Sequence, residues 1–259
     1  MRLSVSIEQI EFFLLILVRC SAFIFTAPFF STQGIPMRVK AGFSILLAMS
    51  ANAAVPMTPV EYQSVIGFGV IVAKEAVAGV AMGFFANVSQ HILGFVGQRV
   101  DMDMGFSMAS EFNPSLGSQI TVTGSLYTYS VTLIMLVTNF HLFFIRAIVD
   151  TFTLIPVGNV VVDSNIYQVM VTYMVEYFII GFRIALPMYA SILIVDTILG
   201  ILAKVAPQMN MFAVGIQLKI AVGLLVLFFM VRLLPGVSTM IYEEMVKLLR
   251  LSVSYLGGG

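Results

Sequence analysis

Cysteine and histidine are scarce in this 259-residue chain, and the shortage excludes several kinds of chemistry. The single cysteine, Cys20, cannot form a disulfide within the chain, and it is expected to pack as a small buried hydrophobic side chain. The two histidines, His91 and His141, have no cysteines or carboxylates around them at the spacing of a metal site. No phosphate-binding glycine loop of the Walker type occurs. We therefore expect no metal, no cofactor and no enzymatic activity.

Charge is also scarce, and this shortage points to a membrane. Only 10% of the residues are charged, 59% are hydrophobic, and the mean hydropathy is +1.02. Soluble proteins contain about 25% charged residues. The 13 basic and 13 acidic residues balance, so no net field would attract a nucleic acid. Because no polar linker divides the chain, we expect a single integral membrane domain over residues 1–259.

Several apolar runs are too long to be simple membrane spans. Ser64–Gln98 has 35 residues and would form a helix of about 52 Å, whereas the hydrocarbon core of a bilayer is about 30 Å thick. The sequence predicts an all-α membrane protein with long kinked helices, which either tilt strongly or project beyond the lipid. The remaining runs are Phe12–Phe30, Ala41–Val55, Val122–Ile155, Asn165–Ala206 and Met209–Leu234. Ala41–Val55 is short for a span, and Asn165–Ala206 contains Pro187.

Most of these runs contain charged side chains. A charge at the centre of a bilayer costs about 2.5–3.5 kcal/mol on the most lenient scale, so such residues normally face protein or water. A plain membrane anchor has no use for this repeated cost, and we therefore expect a subunit of a membrane complex with a polar interior. The charges that we expect to be buried are Lys74, Glu75, Glu176, Arg183, Asp196 and Lys219. For the first four of these residues, no partner is evident in the sequence.

A helical hairpin is predicted near residue 207. Pro207 ends the first helix, and Gln208 and Asn210 suit the turn and the cap of the next helix. In a tight hairpin Asp196 and Lys219 lie at equal depth, each about 17 Å from the turn. We expect them to form an ion pair, which would relieve two buried charges. The alternative is that each is paired with a different subunit.

One irregular stretch, Gly97–Thr121, lies among the apolar runs. Glycines and an Asn-Pro pair interrupt any helix here, yet the stretch is rich in methionine and phenylalanine. Flexible apolar side chains can adapt to a changing shape, so this loop is suited to seal a polar path. The alternative is a surface loop whose apolar residues pack locally. The residues concerned are Met102, Met104, Gly105, Phe106, Met108, Phe112, Asn113 and Pro114.

Four segments together resemble the FliR family, export-gate proteins of the flagellar type III secretion system. The most specific is the block from Val195 through Pro207 to Lys219. The others are His141-Leu142 with Val149–Phe152 and Ile155–Gly158, Glu75 within Ala73–Gly79, and the loop Gly105–Pro114. The resemblance covers essentially the whole chain. The chain departs from the family in the methionine-rich approach to the loop, where Asp101 and Asp103 are interleaved.

The resemblance implies a fold with a FliP-like part, about residues 1–160, followed by a FliQ-like hairpin part, about residues 161–259. It implies assembly with FliP and FliQ, next to FlhB and FlhA, in the bacterial cell membrane at the flagellum basal body. Unfolded flagellar subunits would pass through the assembled pore. The loop Gly105–Gln119 would be the plug that closes this pore at rest.

Two other functions fit parts of the pattern. Charged residues and broken helices inside the membrane also occur in ion-coupled secondary transporters, although such carriers usually show paired halves, which this sequence lacks. The equivalent subunit of a virulence injectisome would share all the physical features above. A carrier should fold and purify alone, whereas a gate subunit should depend on its partners.

Overall fold

The chain folds as a set of α-helices. The computed structural model describes residues 6–32, 34–106 and 121–257. Within this part the backbone contains one isolated parallel bridge, between Val161 and Gly257, and no β-strand. The predicted all-α class is therefore confirmed. The helices are α1 (Ile7–Thr26), α2 (Met37–Ala54), α3 (Val65–Val88), α4 (His91–Met104), α5 (Val122–Val137), α6 (Phe140–Leu154), α7 (Tyr167–Val205), α8 (Met211–Met230) and α9 (Leu234–Leu256), with 3₁₀ turns at Ser164–Ile166 and Val231–Leu233.

Helices long and apolar enough to cross a membrane are present, as the composition predicts. Four such stretches occur in the described residues, and a fifth is gained if α5 and α6 together count as one interrupted span. The helix α2, which covers nearly all of the short run Ala41–Val55, is not among them. The four stretches are Ile7–Thr26, Val65–Met104, Ser164–Val205 and Met211–Leu256.

Two of the overlong runs are broken, and the third is continuous. The run Ser64–Gln98 breaks after Val88, and α4 begins at His91. The run Val122–Ile155 breaks at Asn139, whose backbone is left-handed with a φ of 61°. By contrast, α7 is a single helix of 39 residues, about 58 Å long, with Pro187 inside it. Proline has no backbone N–H, so the carbonyl of Arg183 loses its donor four residues later.

Two compact units make up the structure, and they alternate along the sequence. Unit 1 comprises Met1–Ser89, Leu136–Met174 and Tyr242–Gly259, and unit 2 comprises Gln90–Met135 and Val175–Ile241. The division of the sequence near residue 160 into a FliP-like and a FliQ-like part rests on the resemblance to FliR proteins, and it stays a prediction.

Unit 1 is built around the packing of α1 against α3 and α2. Ser6 and Gln9 form a capping box that starts α1, because each side chain accepts a hydrogen bond from the other residue's backbone N–H. The end of α9 belongs to this unit as well. The backbone N–H of Val161 donates to the carbonyl of Leu256 at 3.1 Å. The apolar core of unit 1 includes Leu15, Ile16, Phe23, Met82, Phe144, Ile148 and Leu248.

Unit 2 contains α4, α5, most of α7, and α8. The Tyr127 hydroxyl is buried and lies 3.4 Å from the sulfur of Met230, so its polar end is satisfied inside an apolar core. The core of this unit includes Ile92, Val96, Val100, Met104, Val131, Met135, Ile184, Met188 and Leu227. These side chains hold α4 and α7 in place, and the charged residues of unit 2 described below lie on those two helices and on α8.

Candidate functional site

The hairpin of α7 and α8 brings Asp196 and Lys219 together. After α7 ends at Val205, Asn210 caps α8 by accepting a hydrogen bond from the backbone N–H of Ala213 at 3.3 Å. The Lys219 ammonium then lies 2.6 Å from a carboxylate oxygen of Asp196. The side chains are 26% and 50% exposed, so the pair is open on one side. The pairing expected from equal depth in the hairpin is the arrangement that the structure adopts.

A second ion pair, between Arg99 and Asp103, lies close to the first. These residues are four apart on α4, and their charged atoms are 3.3 Å apart. With Asp196 they line a cavity of about 520 Å³ whose walls also include Phe182 and Tyr189. Unit 2 thus presents a cluster of paired opposite charges on helices that are otherwise apolar. Arg99 was not among the predicted site residues, although it lies only one helical turn before Asp103.

The remaining charges expected to be buried differ in where the structure places them. Lys74 and Arg183 are exposed on this chain, and Glu176 is half-buried. Burial of these three is therefore not achieved within the chain, because their helices turn these faces outward. Burial of these three side chains by other subunits stays a prediction.

Glu75 is fully buried, and its partner, which is not evident in the sequence, lies in this chain. Arg19 on α1 meets it with two hydrogen bonds, Nε to Oε2 at 2.5 Å and Nη2 to Oε1 at 3.0 Å, and both side chains have zero exposure. The Glu75 carboxylate also accepts from the Gly158 backbone N–H at 2.8 Å, and Arg19 Nη1 donates to the Ile155 carbonyl at 2.8 Å. The guanidinium lies 4.4 Å from the centre of the Phe152 ring.

This buried pair joins three elements of unit 1. Arg19 comes from α1 and Glu75 from α3, and together they hold the turn that follows α6. Each nitrogen of the guanidinium and each oxygen of the carboxylate makes at least one hydrogen bond, which is the condition under which buried charges are tolerated. Sequence reasoning missed Arg19, although it is the only charged residue in the apolar run Phe12–Phe30.

Small residues allow α1 and α3 to come close enough for this pair to form. A Cβ on Gly79 would lie 2.8 Å from the Cβ of Ala22, and one on Gly83 would lie 2.9 Å from the carbonyl oxygen of Phe23. Glu75, Gly79 and Gly83 are spaced by four residues, so they share one face of α3. Small residues at this spacing are typical of close helix pairs in membranes.

The start of the predicted plug lies at the end of α4. Gly105 ends this helix with a φ of 88°, a conformation that favours glycine. Met102 is 52% exposed and Phe106 is half-buried, but Met104 is fully buried. A Cβ on Gly223 of α8 would lie 2.8 Å from Met104 Cγ and Sδ, so Met104 anchors the loop to α8. Met108, Phe112, Asn113 and Pro114 lie outside the described residues.

The two backbone segments that flank this loop are fastened to each other. The buried Asp101 carboxylate accepts hydrogen bonds from the Thr123 backbone N–H, at 3.2 Å to each oxygen, and from the Thr123 hydroxyl. Thr123 lies in the first turn of α5, where backbone N–H groups have no partner within the helix. Close by, Gly97 of α4 contacts the backbone of Gly124 so tightly that no side chain would fit. We call Gly97, Asp101, Thr123 and Gly124 the neck of the loop.

Chemically, these groups hold charge and position backbone, and nothing in them resembles a reaction centre. No group of three His, Cys, Asp or Glu side chains in the described part of the chain could hold a metal ion. Cys20 is buried in unit 1.

Comparisons with known proteins give this arrangement a family. Residues 10–245 match the family model described as bacterial export proteins, family 1. The flagellar biosynthetic protein FliR of Bacillus subtilis (strain 168) is 29% identical over 258 residues, which cover 97% of this chain and 98% of that protein. The FliR proteins of Escherichia coli (strain K12) and Caulobacter vibrioides are each 27% identical, over 93% and 90% of this chain and 92% and 94% of their own lengths. The chain therefore belongs to bacterial export protein family 1, as its resemblance to flagellar FliR proteins predicts.

Proposed function

We propose that the protein is one subunit of a pore through which unfolded flagellar subunits cross the cell membrane, assembled with FliP- and FliQ-like proteins and next to FlhB- and FlhA-like proteins. Its family is one of flagellar export proteins without enzymatic activity, and its spans place it in the bacterial inner membrane. The observation that carries the proposal is α7, whose 39 residues extend about 58 Å, nearly twice the hydrocarbon thickness. Such a helix needs protein neighbours where it leaves the lipid.

The outer faces of the helices support a dependence on partners. Large apolar side chains are exposed on α8, where Phe228 is 74% and Phe229 is 62% exposed. Lipid alone could cover such an apolar face. Lys74 and Arg183, however, are charged and also lie exposed on membrane-spanning helices. An exposed charge within a span is best accommodated against another protein or at a polar lipid headgroup.

We further propose that the loop following α4 is the plug of the pore. Its neck supports this role, because a seal that must move needs a fixed base. Of the described methionine and phenylalanine side chains assigned to the plug, Met102 and Phe106 are not fully buried, and Met104 belongs to the base. Apolar constrictions can close a pore by excluding water, without a barrier of charge.

Co-purification tests the assembly. The full-length chain, expressed with FliP- and FliQ-like proteins of the same bacterium, should be recovered with both as one complex. Expressed alone, it should be poorly ordered, because its outer charges then have no partners. A lone chain that elutes as a stable monomer and binds neither protein would instead favour the secondary transporter.

Conductance tests the plug. In the assembled complex, deletion of residues 107–116 should raise the ion conductance of a planar bilayer without preventing assembly. Replacing Phe106 by Ala should give a smaller leak of the same kind. A matched control is Phe228→Ala on the outer face of α8, which should stay closed. Equal, closed traces from all three would restore the interpretation as a surface loop while leaving the assembly proposal intact.

A further inference from the structure

A groove between α4 and α7 in unit 2 combines apolar walls with two arginines. It has a volume of about 680 Å³. Gly181 faces α4, and a Cβ there would make ordinary contacts, 3.5 Å from Val96 and 3.7 Å from Ile92. The side chains that define its character are Phe95, Phe178, Phe182 and Leu186, with Arg99 and Arg183 among them. Its shape suits a long apolar group with a charged end.

Two charged side chains line the groove, and one of them has no ion-pair partner among the residues that the structure describes. Arg99 is paired with Asp103, and Lys219 with Asp196. Arg183 is exposed and makes no ion pair or side-chain hydrogen bond with the described residues. The groove therefore carries a guanidinium without a carboxylate partner among the described residues, and a guanidinium binds phosphate oxygens well.

The position of Arg183 along α7 is consistent with the depth of lipid phosphates. From Ile184 to the end of α7 at Val205 the helix runs about 33 Å, close to the thickness of the hydrocarbon core. If this stretch spans the core, Arg183 lies at its boundary, where lipid phosphates begin. Asp196 then lies about 20 Å deeper. At that depth it is paired with Lys219, as a charge in the core must be.

We propose that the groove binds an anionic phospholipid. The phosphodiester is held by Arg183 and by the exposed half of Arg99, and an acyl chain follows Phe182 and Leu186 along α7. Basic pockets between membrane helices are a known way to bind acidic lipids. The guanidinium of Arg183, without a carboxylate partner among the described residues, favours an anionic headgroup over a zwitterionic one. This inference does not depend on the plug or on pore formation.

The test measures lipid retention by native mass spectrometry on the full-length protein, purified with whichever export proteins accompany it. Dioleoyl phosphatidylglycerol and dioleoyl phosphatidylcholine are added in equal amounts. We expect the wild type to retain the anionic lipid about tenfold better, and Arg183→Gln to lose most of this preference. Arg183→Lys should keep part of it. Arg232→Gln, an exposed arginine of the same unit outside the groove, is the matched control and should behave as wild type.

A second variant separates the lipid from a free anion and from a folding defect. Leu186→Trp keeps both arginines but fills the path of the acyl chain, so it should reduce retention of both lipids. Millimolar inorganic phosphate should not displace the lipid. An unchanged lipid preference in both Arg183→Gln and Leu186→Trp, or full displacement by phosphate, would overturn the proposal.

A protein occupant is the remaining alternative. Cys20 is buried, so Leu186→Cys provides a single accessible thiol for cross-linking in native membranes. We expect this thiol to react with a lipid-soluble maleimide and to form no cross-link to another protein. An efficient cross-link to a partner helix would show that protein covers the groove and would refute lipid binding.

Discussion

Removal of the Glu75 carboxylate is the single substitution expected to damage the fold most. In Glu75→Ala the Arg19 guanidinium stays in a site of zero exposure, with the Ile155 carbonyl as its remaining hydrogen-bond partner. Leaving one member of a buried ion pair uncompensated costs about 3–5 kcal/mol. The Gly158 N–H also loses its acceptor, which adds about 1–3 kcal/mol.

The two losses overlap, so we expect a destabilisation of about 4–6 kcal/mol. For a chain of this size each kcal/mol lowers the melting temperature by about 2–4 °C, which gives a fall of roughly 10–20 °C. Exchanging the pair, as Arg19→Glu with Glu75→Arg, should not rescue the protein. The Gly158 N–H and the Ile155 carbonyl would then each face a group that they repel.

The assay is thermal stability of the purified full-length protein, followed by the loss of its size-exclusion peak after heating. Lys74→Ala, one residue away but exposed, is the control and should change stability by less than about 0.5 kcal/mol. Replacing both members by leucine should recover much of the loss, since no charge remains buried. If Glu75→Ala and Lys74→Ala melt together, the pair does not support the fold and the reasoning is refuted.

Three further predictions concern unit 2 and use the same melting assay. Asp196→Lys and Lys219→Asp should each weaken the protein, and the double exchange should recover part of the loss; no recovery would mean that each charge has a separate partner in another subunit. Gly223→Ala should lower the free energy of unfolding by about 1–3 kcal/mol, because the added methyl group clashes with Met104. In the Met104→Ala background the same substitution should cost less, and additive losses would contradict the contact. Gly97→Ala should be worse than Gly223→Ala, because it meets backbone that cannot move aside, and an equal or smaller loss would contradict a tight neck.

The parts of the site that were predictable are those fixed by local geometry. Helix rise alone places Asp196 and Lys219 at one depth once Pro207 ends α7. The composition likewise determines an all-helical membrane fold, because only helices satisfy every backbone group of such apolar segments within one segment. The break at Asn139 was not predicted, because asparagine is only one of several residues that tolerate the left-handed conformation.

The rest depends on packing between segments far apart in sequence. Arg19 and Glu75 are 56 residues apart, and nothing local reveals that α1 and α3 lie side by side. Two signals were nevertheless available: a lone arginine in an apolar run, and the four-residue spacing from Glu75 through Gly79 to Gly83. Met104 resembled its flexible neighbours in composition, and only the contact with Gly223 shows that it is a fixed anchor.

The alternation of the two units along the sequence has a consequence for biosynthesis. Unit 1 begins with α1 but is completed only when the end of α9 reaches Val161. During translation, α1 and α3 can pair early, yet the unit must wait until nearly the whole of unit 2 has been synthesised and inserted. A nascent chain therefore passes through a long period with an unfinished first unit, during which its exposed apolar faces need protection. Stop codons shortly before residue 242 should accordingly unfold the amino-terminal half of the protein rather than merely shorten its tail.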